Sequence, residues 1–424
     1  MNKKDKIIDL FSGAGGLTEG FRKDNFDIIG HVEKEASASQ TLRLRDAYYY
    51  LKKNNQINAY YKFLLGEITE TELLSLVPTK LLNKTINQEI GDETLSTIFE
   101  KFDLALDGDQ SISGLIGGPP CQAYSTIGRA LNAHKKATDG RVYLYRYYID
   151  FLKRYHPIFF VFENVKGLLS FKDVDGNYLF RRQDGKIIGK MYDEFRSAGY
   201  DLDYRIINTK DYGVPQARER IIIFGTPINS SNLIERFFSK FESLKETPIT
   251  VRDALADLPP LHAGQEVNVY HKSANEYVKK YFRKDNRIPL TQNVSRPNIP
   301  RDLRIYSLTV RAKIEGHNLK YYEIPEKDRT HKNVDKFLDR YKALDWNQPS
   351  HTIVAHIAKD GHHYIHPDIK QNRSITVREA ARIQGFPDDY YFESSRTQAF
   401  TQIGNAVPPI LSKKIADAIT QLKF

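Results

Sequence analysis

The sequence has one cysteine in 424 residues, which excludes an intrachain disulfide. No Cys/His cluster has the spacing of a structural zinc site. The apolar runs stop short of the ~18 residues a membrane span requires, and Met1-Asn2-Lys3-Lys4-Asp5-Lys6 leads into a strand-like run rather than a signal peptide. The expected location is therefore the cytoplasm, away from membranes. An excess of acid is also missing: 63 Lys and Arg stand against 53 Asp and Glu, a net charge of +10. Residues 262–345 alone hold 18 basic and 11 acidic side chains. That concentration points to a polyanion, although a basic surface that serves only solubility has the same signature. At 40% hydrophobic content a sizeable core is possible, as two domains or one large domain with an insertion.

The lone cysteine falls in Gly117-Gly118-Pro119-Pro120-Cys121-Gln122. Two glycines let the backbone bend and come close to a ligand, two prolines stiffen the loop, and the thiol follows the rigid part. A free cysteine is more often an inert core thiol. Here Leu115 and Ile116 end a short apolar strand, so Cys121 lies just past a strand's carboxyl edge, where open α/β sheets bind their ligands.

Ile7 to Phe11 is an apolar run that stops at Ser12-Gly13-Ala14-Gly15-Gly16, and a helix-permissive stretch follows through Phe21. Strand, glycine turn and helix open a nucleotide-binding α/β domain. Thr18 occupies the last glycine position of G-x-G-x-x-G, which disfavours a dinucleotide. A second strand, 26–32, ends at Glu33, where an acid can hydrogen-bond ribose hydroxyls. Ile158 to Phe162 reads as a strand buried on both faces and delivers Glu163-Asn164-Val165. A carboxylate there is costly without a partner. Gln216-Ala217-Arg218-Glu219-Arg220 precedes another apolar strand, 221–224, and arginines two apart at a strand mouth can bind oxygen acceptors on one side. Thr376 and Glu379 form a capping box for a helix stopped by Gly385, and Pro408-Pro409 open a last amphipathic helix.

These segments, in this order, resemble the DNA (cytosine-5)-methyltransferase family of bacterial restriction-modification type. The matching motifs are Asp-Leu-Phe-Ser-Gly-Ala-Gly-Gly, Pro-Cys-Gln, Glu-Asn-Val, Gln-x-Arg-x-Arg, the 373–387 segment and Gln402-Ile403-Gly404-Asn405-Ala406-Val407. The resemblance implies a Rossmann-like α/β sheet that binds S-adenosyl-L-methionine, with a smaller, mostly irregular and β target-recognition domain. It places the catalytic unit at 1–225 plus 385–424 and the recognition domain at 226–384. Cys121 is then the nucleophile, Glu163 the acid, Arg220 the ligand of the base oxygen and Arg218 a support. Phe11, Ser12, Gly13, Gly15, Gly16, Leu17, Glu33, Glu67, Ile68, Pro120, Leu144, Asn405 and Val407 are the implied cofactor contacts, and no metal is implied. Lys34 stands where several family members carry an adenine-stacking aromatic, and Glu67 where an Asp is usual. The polar loop from Ala123 to Arg141 corresponds to the one that closes over the target base. The implied partner is double-stranded DNA, bound by a monomer, with a cognate restriction endonuclease as a functional partner.

The basic segment interleaves Tyr270, Tyr277, Tyr281 and Phe282 with Lys279, Lys280, Arg283, Lys284 and Arg287, where the aromatics are equally consistent with a core. Its cations would supply phosphate contacts, whereas base reading needs loops in the major groove. The five histidines between His351 and His366 fit no ligand spacing and read as polar loop residues. Residues 40–112 suggest leucine-rich and tyrosine-rich helices that pack as core, an insertion to which no function is assigned. Two other readings stay open: a cytosine-5 methyltransferase of structured RNA, against which the long basic insert argues, and a non-catalytic DNA-binding member, which would be expected to lack the thiol or the acid.

Overall fold

A computed structural model describes residues 4–109, 111–120, 124, 140–230, 232–331, 333 and 338–422. Alternation along the central strands creates two apolar faces. In β1 (Asp5–Leu10) Ile7 faces one cluster while Ile8 and Leu10 face the other. In β5 (Phe159–Asn164) Phe159 and Val161 point one way, Phe160 and Phe162 the other. All are buried, as a sheet covered by helices on both sides requires.

Among the described residues the main sheet has seven strands, with β2 (Phe26–Glu33), β3 (Thr85–Asn87) and β4 (Gly114–Gly117) on either side of β1. β6 (Arg181–Gln183) and β7 (Lys186–Ile188) form a separate hairpin, and β8 (Tyr200–Asn208), β9 (Gln216–Ala217) and β10 (Glu219–Pro227) follow. The order is β3-β2-β1-β4-β5-β10-β8; the first five are parallel, and β10 runs antiparallel to both β5 and β8. The order reverses between β1 and β4. Because β1, β2, β4 and β5 are parallel, the ends carrying Phe11, Glu33, Gly118 and Glu163 share one edge, and antiparallel β10 starts from that edge with Glu219 and Arg220.

One face is covered by helices Gly16–Gly20, Leu233–Glu242, Val377–Gln384, Arg396–Asn405 and Pro409–Thr420. The other is covered by Leu95–Leu106, Leu144–Tyr155 and Lys190–Ser197. Helix Val377–Gln384 carries the expected capping box between Thr376 and Glu379, and Gly385 ends it at φ 92°. Residues 36–82 form a run of helices joined by turns, Ala36–Lys53, Ile57–Leu64, Glu70–Ser75 and Thr79–Leu82, and build a third cluster around Tyr48, Tyr60, Leu73 and Val77. Past the end of β10, the longer elements among the described residues up to 384 are helices, notably Pro300–Ile314, while β structure reduces to the two-residue β11 (Ser350–His351) and isolated bridges. A small core around Ile305, Tyr306, Val310, Tyr341 and Ile365 belongs to this region alone; Phe237, Leu255, Phe282 and Ile383 join the main core instead. No helix among the described residues is long and apolar enough to cross a membrane.

Candidate active site

The glycine turn at the end of β1 is bent by three left-handed residues. Phe11 (φ 56°), Gly13 (φ 53°) and Gly15 (φ 79°) all take this conformation, and a bulky aromatic there is strained by about 1–3 kcal/mol. Strain held at a topological switch point marks a functional turn. A Cβ on Gly13 would meet nothing within 4 Å, so this side of the turn is open. Gly16 is different, since its Cβ would stand 2.1 Å from Val407 O. Gly20, one turn on, would strike Ser412 at 2.2 Å. These two glycines let the last helix approach, which brings Val407 beside the turn; Leu17 is buried in the same contact.

Glu33 ends β2 almost completely buried. Its Oε2 accepts the Gly13 N–H (2.7 Å) and its Oε1 the Glu35 N–H (2.8 Å). Burial raises its pKa, and the two backbone N–H groups oppose the rise. Ser12 closes the turn from below: its N–H donates to Val32 O (3.1 Å) and its hydroxyl to Asp9 O (3.0 Å). An open glycine, an anchored buried carboxylate and the apolar Phe11 and Val407 fit a sulfonium nucleoside with a ribose diol. Leu144 opens its helix half-buried, and Asn405 is exposed at the last residue of Arg396–Asn405.

Glu67 and Ile68 do not join this edge. Glu67 is exposed in the turn after helix Ile57–Leu64, and Ile68 packs on the tyrosine-rich cluster. The strand beside β2 at the edge is β3, and Asn87 there donates to Glu33 O (3.0 Å) and Lys34 O (2.9 Å). With three residues, β3 leaves no periodic signal from which Asn87 could have been picked.

Glu163 and Arg220 meet across β5 and β10: Arg220 Nε lies 2.8 Å from Glu163 Oε1, and both side chains are nearly buried at 11% and 13% exposure. Gly118 passes beside them, and a Cβ on it would stand 3.0 Å from both Glu163 O and Oε2. Asn164 Nδ2 donates to Pro119 O (3.3 Å) and pins the start of the proline pair, with Pro120 half-buried next to it. Cys121, and nearly all of the loop from Ala123 to Arg141, lie outside the described residues. A cleft of about 430 Å³ adjoins the pair, lined by Val165, Lys166, Gly167, Ala217, Glu219, Arg220 and Thr352.

Arg218 and Arg220 have different partners. The strand breaks between Ala217 and Glu219, so the two-residue period does not carry across, and Arg218 is buried with Nη1 donating to Ile353 O (2.5 Å) and Nη2 to Gly404 O (3.1 Å). Gln216 works beside it: Nε2 donates to Gln384 Oε1 (2.7 Å), and Oε1 accepts the Ile353 N–H (3.0 Å). The motif revealed that polar residues were needed here, but not that Gln216 and Arg218 join three distant segments.

This sheet order, with a strained glycine turn at its switch point and a carboxylate–guanidinium pair on the same edge, defines a Rossmann-like methyltransferase. The model of the C-5 cytosine-specific DNA methylase family matches residues 6–74 and 80–421, and the chain belongs to that family. It is a DNA (cytosine-5)-methyltransferase. It is 38% identical to the type II methyltransferase M.Bpa9945I of Bacillus paralicheniformis, over 97% of this chain and 98% of the relative. It is 30% identical to the type II methyltransferase M.DdeI of Desulfomicrobium norvegicum, over 98% of this chain and 88% of the relative. The fold is also that of the S. pombe Dnmt2 methyltransferase structure, with a TM-score of 0.52 at 14% identity, covering 99% of this chain and all of the other (100%).

Proposed function

We propose that this enzyme methylates C5 of a cytosine flipped out of double-stranded DNA, through a covalent bond between Cys121 and C6. The observation that supports this best is the Glu163–Arg220 pair beside the Gly118 backbone, three residues before Cys121. C5 of cytosine is a poor nucleophile, so the ring is activated by adding the Cys121 thiolate at C6. Charge then develops at N3 and O2. Glu163 gives a proton to N3 and Arg220 holds O2, while Arg218 keeps the mouth of β10 tied to Ile353 and Gly404. S-adenosyl-L-methionine supplies the methyl group when bound, held by Phe11, Ser12, Gly13, Glu33, Leu144 and Val407. Loss of the C5 proton to water, expulsion of the Cys121 thiolate and return of the N3 proton to the Glu163 carboxylate restore the ring.

The reacting atoms are out of reach in a stacked duplex, so the base leaves the stack and the basic residues of 226–384 hold the DNA. The small core around Ile305 and Tyr341 is the recognition unit's own. Methylation of this kind protects host DNA from a cognate restriction endonuclease, and a monomer suffices for it.

The test is transfer of labelled methyl from S-adenosyl-L-methionine to duplex DNA and structured RNA side by side, with base-resolution mapping and Cys121→Ala as control. The expected result is 5-methylcytosine in one short DNA motif, and no transfer by Cys121→Ala despite near-normal DNA binding. Label confined to RNA, or turnover by Cys121→Ala, would overturn the reading.

A further inference from the structure

The tyrosine-rich segment, which the reaction leaves without a role, forms the back wall of the glycine turn. Its centre is Arg45, 3% exposed on helix Ala36–Lys53. The guanidinium grips Glu19 in a bidentate pair, Nε to Oε2 at 2.9 Å and Nη2 to Oε1. Its third nitrogen, Nη1, donates to Asp389 Oδ1 (2.9 Å) and Asp389 O (3.3 Å). Three rings surround it: Tyr48 at 4.1 Å, Tyr390 at 4.7 Å and Tyr49 at 4.9 Å. Tyr49 also donates to Glu19 Oε1 (2.8 Å) and Tyr48 to Asp389 Oδ2 (2.7 Å).

Both ends of this node reach the cofactor side. Glu19 lies on helix Gly16–Gly20, which continues directly from the glycine turn. Tyr390, next to Asp389, donates its hydroxyl to Ala14 O inside the turn. Gly15 is enclosed by the same two elements, since its Cβ would stand 2.7 Å from Leu42 Cδ2 and 3.1 Å from the Tyr390 hydroxyl. Leu42 and Arg45 are one turn apart on their helix. The helices of residues 57–82 in turn brace the far side of Ala36–Lys53 through Tyr60, Leu64, Leu73 and Val77.

We infer that Arg45 is a positioning residue for methyl-donor binding: it locks the glycine turn between helix Ala36–Lys53 and the Asp389–Tyr390 segment. A planar fork serves this purpose because only arginine can pair bidentately with Glu19 and still reach Asp389. The inference rests on the cofactor assignment above.

The test is calorimetric binding of S-adenosyl-L-methionine to the DNA-free protein, with melting temperature measured in parallel, for wild type, Arg45→Lys, Tyr390→Phe and Leu73→Ala. Arg45→Lys keeps the charge but loses the fork, and is expected to weaken binding about tenfold or more, the equivalent of one well-placed hydrogen bond. Tyr390→Phe removes only the hydroxyl on Ala14 and is expected to weaken binding about threefold to tenfold, which keeps the inference testable if Arg45→Lys fails to fold. Leu73→Ala destabilises the insertion's core and is expected to lower the melting temperature with affinity unchanged. Wild-type affinity in Arg45→Lys or Tyr390→Phe would overturn the inference, as would equal weakening in Leu73→Ala. Absence of binding by the wild type would instead sink the cofactor assignment itself.

Discussion

Glu163 sits at the point where a buried strand meets the cleft, and its neighbours define what it can do. Arg220 bonds one carboxylate oxygen, while the Gly118 backbone lies against the other. As the general acid of the proposed reaction, its replacement in Glu163→Gln should lower kcat by roughly 10²-fold or more with DNA affinity retained, measured by single-turnover methyl transfer. An unchanged rate would remove it from that role. Gly118→Ala tests the same geometry from the loop. Its new methyl must displace either the carboxylate or the chain leading to Cys121, and misplacement by a fraction of an ångström should cost about tenfold or more in kcat. Calorimetry of cofactor binding should be unaffected by that change.

Helix Val377–Gln384 shows how an element is fixed at a buried boundary. Arg373 clamps Glu379 with Nη1 to Oε2 at 2.7 Å and Nη2 to Oε1 at 2.6 Å, and the Thr376 N–H adds a bond to Oε2 at 2.7 Å. Burial alone would raise the Glu379 pKa, but the Arg373 charge prevails and lowers it from the ordinary 4.5 to about 2. A depressed acid stabilises the fold fully above about pH 4.5 and loses that contribution as pH falls towards 2. Glu379→Gln should therefore cost about 3–5 kcal/mol at neutral pH, because Arg373 is left buried without its partner. The gap to wild type should narrow between pH 4.5 and 2 in denaturant titrations; a gap independent of pH would show that Glu379 is not ionised in the fold.

The whole molecule joins a catalytic edge to a basic region through shared packing. Phe237, Leu255 and Phe282 lie in the same cluster as Ile7 and Val161 of the sheet, whereas the core around Ile305 and Tyr341 stands apart. Arg382 ties the two regions together, paired with Asp257 and with Asp388 Oδ2 at 2.6 Å, fully buried. DNA held by cations of the basic region should bind with an affinity that falls steeply with salt, by about 0.9 in log K per log salt for each phosphate contact. Lys284→Ala tests one such contact. The slope should become shallower by about one without change in cofactor affinity, whereas an unaltered slope would take Lys284 off the DNA-binding face.

The strands after Ile7, Phe26, Ile158 and Ile221, the capping box at Thr376, the stop at Gly385 and the acid at the end of the Ile158 strand were all legible in the sequence, because each depends on local periodicity or on one residue's conformational preference. The family was legible as well, since four of its six motifs sit at strand ends and the other two at helices Val377–Gln384 and Arg396–Asn405. What the sequence could not determine were the partners. It assigned Glu67 and Ile68 to the cofactor, whereas Asn87 on the three-residue β3 lies beside Glu33. It read Arg218 and Arg220 as facing one way, whereas the break after Ala217 sends Arg218 to Ile353 and Gly404. It left Arg45 without a role although Glu19 and Asp389, 344 positions from Arg45, converge on it. Long-range pairs of this kind depend on which surfaces meet when both faces of the sheet are covered, and only the tertiary structure brings those surfaces together.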